Sequence, residues 1–392
     1  MNINDSSFAI VHDWFQKNSL GGAEKVTFII DKFLTEKYKA PDLFALVSNI
    51  NSSKINNLNY RKIHTSLIGK LPLGNQYVQN YLPFLPFAIE QIDLRKYDFI
   101  ISSSHAFSKG VLTSPDQIHL SYVHTPMRYA WDQMNTYIKQ SSLSKLGCEV
   151  PIRFILYKLR EWDFYSSQRV DYLISNSNFT AKRIKKYWGL DSEVINPPVE
   201  IKRFKHNKNR GDFYLSVNRL VPNKRIDLLI KAFNKLKLPL VIIGDGPERN
   251  KLKKMAKPNI SLLSKTPDSV VEDYMSRCRA FIYAGIEDFG IAPVEALASG
   301  APVIAYGKGG ILDTINCLNK SEENKIPTGI IFNKQTSEDI FDTVDWFEDN
   351  KIWKKFNSEN LNCYSYKFSP ENFIAKFESS LNNAWNNFKK KR

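Results

Sequence analysis

No apolar stretch in the chain reaches the roughly 18 uncharged residues that a membrane-spanning helix needs, because polar residues interrupt every hydrophobic run. The opening residues MNINDSSFAIVHDW lack a basic segment followed by an apolar one, so no secretory signal is read and a cytoplasmic chain is expected. Cysteine is sparse. Cys148, Cys278, Cys317 and Cys363 stand without CxxC spacing, which argues against a zinc site or a disulfide framework and predicts buried free thiols. Zinc-finger spacing, an RNP-type aromatic motif, GxGxxG and GxxxxGK[ST] are also missing, so no nucleic-acid partner is expected and the commonest phosphate loops are excluded.

Size and positive charge are what the chain has instead. Its 392 residues, 43% of them hydrophobic, exceed what one core ordinarily holds, so two domains are expected. The 55 Lys and Arg against 40 Asp and Glu give a net charge of +15, which suits an anionic substrate or an anionic membrane surface. Two stretches bear on the membrane: PIRFILYKLREWDF, Pro151 to Phe164, which is aromatic and basic, and the terminal Lys389-Lys390-Lys391-Arg392. Basic residues beside anionic headgroups gain about 1 kcal/mol each. The other reading of these stretches is a half-buried helix and a solvated tail.

Along the chain, short β-rich runs alternate with helical ones. FAIVHDW, LFALVS, DFIISSS, HLSYVH and DYLISNS precede helical stretches, the pattern of a parallel sheet wrapped by helices. The polar, proline-bearing segment Asn196 to Asp212 reads as a linker. Alternation then restarts with FYLSVNRL, IDLLIKAFNKL, PLVIIGDGPE, ISLLS, VVEDYMSRC, AFIYAG, APVEALAS and PVIAYG, which predicts a second parallel α/β domain. A final helix runs through ENFIAKFESSLNNAWNNF after the start signal Ser369-Pro370-Glu371. Two doubly wound domains joined this way predict a central cleft, with ligands at the carboxyl ends of the strands.

The candidate motifs fall at those strand ends. Gly21-Gly22, between the first strand and helix, lets backbone N–H groups approach a phosphate, although a plain tight turn explains the pair as well. In NRLVPNK, Arg219 and Lys224 bracket a proline turn and can converge on one anion. In GIEDFGIAPVEALASG, Glu287 falls in the loop after a strand and Glu295 within the helix that follows. Gly290 and its successors present free amides suited to a diphosphate. Carboxylates beside a bound polyanion suit sugar hydroxyls, which donate to them in pairs.

Glu287 and Glu295, with seven residues between them, resemble the EX7E motif of retaining glycosyltransferases of family 4, which have the GT-B fold of two Rossmann-like α/β domains. Arg219 and Lys224, the glycines of GGAE and the GDGPE stretch from Gly244 to Glu248 are similar to that family's other markers, in order. IVHDW, SSSHAFSKG, YVHTPMRYAWD, LREWD and SNSNFTAKRI look most like its bacterial mannosyltransferases of O-antigen and surface-polysaccharide synthesis, which use GDP-mannose. The resemblance implies an acceptor domain over residues 1–200, with the helix of about 370–392 packing back on it, and a nucleotide-sugar domain over 201–369. It implies that Arg219 and Lys224 neutralise the donor diphosphate without a metal or other cofactor, since no Asp-x-Asp is present. It further implies that Glu287 holds the transferred sugar, that Phe289, Gly290 and Ile291 line the sugar and phosphate site, and that Glu295 binds the ribose. Gly21 and Gly22 would close the diphosphate site, Lys265 and Thr266 would meet the base, and His124 would contact the donor sugar or orient the acceptor. Its acceptor would be a lipid-linked saccharide at the inner membrane face, the chain being peripheral there.

Other readings stay open at several positions. Asp13 reads as a turn residue or an acceptor ligand, His105 as a hydrogen-bonded strand-end histidine or an acceptor contact, and Lys109 as an anion ligand or a solvated cation. Asp313 in GGILDTI stands where the family more often has glutamate. The DFG of Asp288-Phe289-Gly290 has no HRDxxxxN before it, so a kinase is excluded. The alternatives in function are a UDP-sugar transferase, an epimerase or phosphorylase of related fold, and a non-catalytic carbohydrate-binding homologue.

Overall fold

The computed structural model describes residues 3–16, 21–50, 61–140, 147, 149–318 and 326–390. Cys148, Lys391, Arg392 and the Ser19-Leu20 lead into the first glycine pair lie outside the described residues. The chain divides into two units: Met1–Pro197 with Phe373–Arg392, and Pro198–Asn372.

Unit 1 is built on seven parallel strands, β1 (Phe8–Phe15), β2 (Asp42–Ser48), β3 (Ile63–Thr65), β4 (Phe99–Ser104), β5 (Ile118–Val123), β6 (Tyr172–Ser175) and β7 (Glu193–Val194). They lie in the order β3-β2-β1-β4-β5-β6-β7. β4 and β5 are buried at every position, as strands covered by helices on both faces must be. The helices are α1 (Gly22–Lys37), α2 (Leu85–Glu90), α3 (Met134–Gln140), α4 (Glu149–Ser167) and α5 (Asn178–Trp188). α5 starts where the Ser177 hydroxyl accepts from the Thr180 amide and stops at Gly189, the left-handed residue that ends so many helices. Strand order reverses between β1 and β4, so the loops leaving their carboxyl ends diverge and open a crevice.

Unit 2 carries six parallel strands, β8 (Tyr214–Val217), β9 (Leu240–Ile243), β10 (Ile260–Leu263), β11 (Ala280–Tyr283), β12 (Val303–Tyr306) and β13 (Gly329–Phe332). Their order is β10-β9-β8-β11-β12-β13, with the reversal between β8 and β11. Its helices are α6 (Ile226–Leu236), α7 (Arg249–Met255), α8 (Asp268–Arg277), α9 (Ile291–Ala298), α10 (Ile311–Thr314), α11 (Ser337–Asp349) and α12 (Ser358–Ser365). α6 shows how the pattern makes the element: Ile226, Leu229, Ile230 and Phe233 recur at helical spacing and are all buried.

The last helix, α13 (Pro370–Lys390), places Phe373, Phe377, Leu381, Ala384 and Trp385 in the core of unit 1 beside Phe8, Phe33 and Tyr122. The segment 196–212 departs from the linker expected of it. Val199, Ile201 and Phe204 are buried in the unit 2 core, and the Val199 amide donates to the Phe368 carbonyl at 2.8 Å. Arg210 donates to the carbonyls of Cys278, Met275 and Ser299. Three apolar anchors and one arginine saturated by carbonyls dock a segment whose composition is that of a loop. The thiols also differ from expectation: Cys278 is buried, but Cys317 is half-buried and Cys363 exposed.

Candidate functional site

In unit 2 the loops after β8 and β11 flank the strand-order reversal, and they carry Arg219, Lys224 and Glu287. The Lys224 ammonium is hydrogen-bonded to Glu287 Oε1 and lies 3.4 Å from the Tyr283 hydroxyl. Both partners of this pair remain partly exposed. Arg219 is exposed, and its guanidinium has no hydrogen-bond or ion-pair partner among the described residues. The lysine loop is held from below by the GDGPE stretch: the Leu220 amide donates to Asp245 O, and the Glu248 amide to Leu220 O. Gly244 sits so close that a Cβ there would lie 1.8 Å from the Asn218 carbonyl oxygen, which excludes any side chain. The glutamate loop is tied in the same way, with the Gly310 amide donating to Glu287 O at 2.8 Å.

Helix α9 begins just past Glu287. Its N-cap, Gly290, has φ of 99°, a left-handed conformation that favours glycine, and no side chain caps the amides of the first turn. Glu295, in the middle of α9, contacts the Arg203 guanidinium at 3.4 Å. Arg203 also reaches Asp268 at 2.9 Å and Glu272 at 3.5 Å and stacks on Phe204, so one cation serves three carboxylates. Sequence reasoning missed Arg203, because only the fold carries the segment after Pro198 to α9. The Phe289 side chain is buried in the core against Phe368, with ring centroids 5.5 Å apart, so only its backbone could line a surface site. Ile291 is half-buried at the start of α9, Lys265 is exposed, and Thr266 buries a hydroxyl oxygen that has no hydrogen-bond partner among the described residues.

In unit 1 the crevice between β1 and β4 is a buried polar network centred on Ser103. The His124 Nε2 lies 2.8 Å from Ser103 Oγ, the Thr27 hydroxyl donates to the same oxygen at 2.8 Å, and His12 Nδ1 lies 3.2 Å away. His12 Nδ1 is also 2.9 Å from the Ser103 carbonyl, which can only accept, so this nitrogen carries the proton and the buried Nε2 has no partner among the described residues. Burial, reinforced by His105, pushes the His12 imidazole down to about 3, and burial likewise holds His124 far below the ordinary histidine range. Both rings are therefore neutral at physiological pH.

Two expected acceptor ligands belong to the fold instead. Asp13 is fully buried and accepts from the backbone amides of His105, Ala106, Phe107 and Ser108, so its charge pins the loop after β4. Burial alone would raise its carboxyl, but the nearby His105 and His12 and the amides hold it below the usual range. Lys109 is equally enclosed: its ammonium donates to Asp163 at 2.5 Å and to the Ala106 carbonyl, between the rings of Trp162 and Trp188. Neither side chain is presented to an acceptor. His105 is more open, with Nδ1 3.2 Å from Asp13 and its ring edge-on to Trp14 at 4.6 Å. At the start of α1, the Gly21 amide donates to Glu24 Oε2 at 2.9 Å, so a carboxylate of the chain already sits where an anion was expected. Burial pushes that carboxyl up, only partly offset by the amides of Glu24 and Gly21 and by His105.

Residues 198–367 match the family described as glycosyl transferases group 1, a match that spans nearly all of unit 2. The alpha-1,3/1,6-mannosyltransferase ALG2 of Saccharomyces cerevisiae is 30% identical over 221 residues, 42% of this chain and 44% of the relative. The chain spans about half the length of the curated relatives it matches. Among solved structures, sucrose-phosphate synthase from Thermosynechococcus elongatus superposes with a TM-score of 0.69 at 14% identity, covering 97% of this chain and 99% of that one. Anabaena HepE in complex with UDP and glucose gives 0.65 at 14% identity, covering 95% and 99%. The fold is thus that of the GT-B glycosyltransferases, two Rossmann-like domains each with a parallel sheet.

Proposed function

We propose that this chain is a metal-independent, retaining glycosyltransferase that moves mannose from GDP-mannose to a lipid-linked saccharide. Its setting would be bacterial surface-polysaccharide assembly at the inner face of the membrane. The observation that carries the proposal is the contact between Lys224 and Glu287 at the strand-order reversal of unit 2, beside the start of α9. A lysine paired with a carboxylate is held extended and charged, and a diphosphate competes for it with two negative groups in place of one. When the diphosphate takes Lys224, Glu287 is released to accept hydrogen bonds from the sugar hydroxyls.

The chemistry follows from that exchange. The bond from the anomeric carbon to the phosphate oxygen breaks as the acceptor oxygen bonds to the same face, through an oxocarbenium-like state. The acceptor proton passes to the departing phosphate oxygen. Arg219 and Lys224 stabilise the charge that develops on the leaving group, which is where preorganised cations lower a barrier most. Glu295, oriented by Arg203, accepts from the ribose hydroxyls. In unit 1 we assign His124, neutral and fixed by Ser103, to orienting the acceptor. Support for mannose comes from the similarity to ALG2, an alpha-1,3/1,6-mannosyltransferase; the likeness to HepE with UDP keeps a UDP-sugar donor as the second reading.

A thermal-shift series with GDP-mannose and UDP-sugars in EDTA tests the donor. GDP-mannose at about 100 times its dissociation constant stabilises a binder by about 2.7 kcal/mol, a readily measured shift. Stabilisation by UDP-sugars alone would discard GDP-mannose, and a response that requires divalent metal would discard the metal-free site.

A further inference from the structure

Helix α4 has two unlike faces. Leu156, Leu159, Asp163, Ser166 and Ser167 are turned inward, and Phe154, Tyr157, Phe164 and Tyr165 fall together on the opposite side of the helix. Phe154 is 60% exposed and Tyr165 67%. A solvent face normally holds charge, so an aromatic stripe there needs a partner. Between α4 and Trp131 lies a pocket of about 220 Å³ walled by Tyr157, Phe164, Tyr165, Arg160 and Glu161. A second exposed apolar set, including Leu73, Phe84 and Phe87, leads into and along α2. Glu90 ties α2 beside α4 by accepting from Trp162 Nε1 at 3.0 Å and from Arg169 at 2.7 Å.

Charge selects the partner. Unit 1 holds 28 Lys and Arg against 18 Asp and Glu, the larger share of the chain's net +15. Arg153 and Lys158 stand among the aromatics, each paired with a glutamate of the same helix (Glu149 at 3.8 Å, Glu161 at 2.9 Å), and the Lys158 ammonium lies 5.2 Å from the Tyr157 ring, so the positive charge that favours an anionic surface is that of unit 1 as a whole. Lysine is depleted at protein–protein interfaces, whereas Lys and Arg stems laid beside Phe and Tyr are what an amphipathic helix presents to headgroups. We infer that the outer face of α4 docks this chain on an anionic lipid bilayer, lying in the interface with its aromatic rings at headgroup depth. This deepens the membrane setting proposed above and rests on it only for its purpose. Of the two stretches in the sequence that bear on a membrane, it assigns the contact to the helix and not to the basic tail.

Co-sedimentation of the full chain with vesicles of phosphatidylcholine, with and without phosphatidylglycerol, tests the inference without any donor. The wild-type chain is expected to partition to the anionic vesicles, and a triple variant, Phe154→Ser, Phe164→Ser and Tyr165→Ser, to lose about tenfold or more of that partitioning. Lys389→Gln with Lys390→Gln is expected to stay within about twofold of wild type. The three aromatics are exposed, so the triple variant should keep its melting temperature and its thermal shift with nucleotide sugar. Hydrogen exchange on the unsubstituted chain gives a second reading, with amides over 150–165 slowing when anionic vesicles are added. Wild-type binding to neither vesicle, undiminished binding by the triple variant, or slowing confined to residues 198–372 would overturn the docking face. A wrong donor would leave all of these results unchanged.

Discussion

At the scale of single residues, the chemistry divides between charges left partly open and charges locked away. Lys224 and Glu287 pair with both side chains partly exposed, whereas Lys109 and Asp163 pair with both enclosed. A ligand can compete for the first pair, but separating the second would leave a charge in a low-dielectric interior. Lys224→Ala is therefore expected to lower kcat by about 10²- to 10³-fold with little change in melting temperature, as loss of one preorganised donor does at other developing anions. Steady-state kinetics beside a melting curve checks this, and near-normal turnover would remove Lys224 from the diphosphate site. The residues themselves were legible in NRLVPNK and GIEDFG, but their mutual pairing was not, because 63 positions separate them and only the β8–β11 adjacency closes that distance.

Among elements, the loops at the carboxyl ends of the strands behave as one interlocked set. GDGPE sits directly behind the lysine loop, and the glycine pair before α10 sits behind the glutamate loop. Gly244→Ala is expected to displace the 218–224 loop and to lower both stability and donor affinity, since a Cβ would be driven into a backbone oxygen. Gly189→Ala is the control: its φ of 73° is strained for alanine, but no atom of the described residues lies within 4 Å of the added carbon, so it should cost only about 1–2 kcal/mol. Melting curves with and without nucleotide sugar separate the two, and equal effects would mean that the close approach is not what the GDGPE glycine serves. Here the sequence was informative in a different way than its motif suggested. GDGPE marked the site as a family feature; the structure supplies the steric reason for the first glycine.

On the scale of the whole molecule, acid should act first on unit 1. His12 and His119 are both pushed down to about 3 by burial, and His124 is held well below its ordinary range. In the unfolded chain these rings take protons below about 6.5, while the folded chain cannot, so stability is complete above that pH and falls as the pH drops toward 3. Each ring contributes a slope on the order of 1.4 kcal/mol per pH unit. Asp13 adds a later loss, below the ordinary aspartate range, as its depressed carboxyl finally protonates. Denaturation midpoints measured from pH 8 to 4 with a probe in unit 1 check the trend, and His119→Gln should flatten it. A stability flat over that range would mean that the three rings titrate normally.

The sequence by itself determined the two parallel α/β repeats and the positions of the strand-end motifs, because apolar periodicity and glycine punctuation are local properties of the chain. Helix α6 and the strand ends at Val217 and Tyr283 follow from neighbours a few residues away. Only the tertiary structure decided which polar residues face outward. Asp13 and Lys109 look like ligands in one dimension, yet the first binds four amides of a distant loop and the second a buried aspartate 54 residues on. Phe289 sits within the motif and still belongs to the core. Arg203 reads as part of a linker and becomes the partner of Glu295. Burial is a property of packing between segments far apart in the chain, so a charge's availability is settled by the fold and not by the motif that carries it.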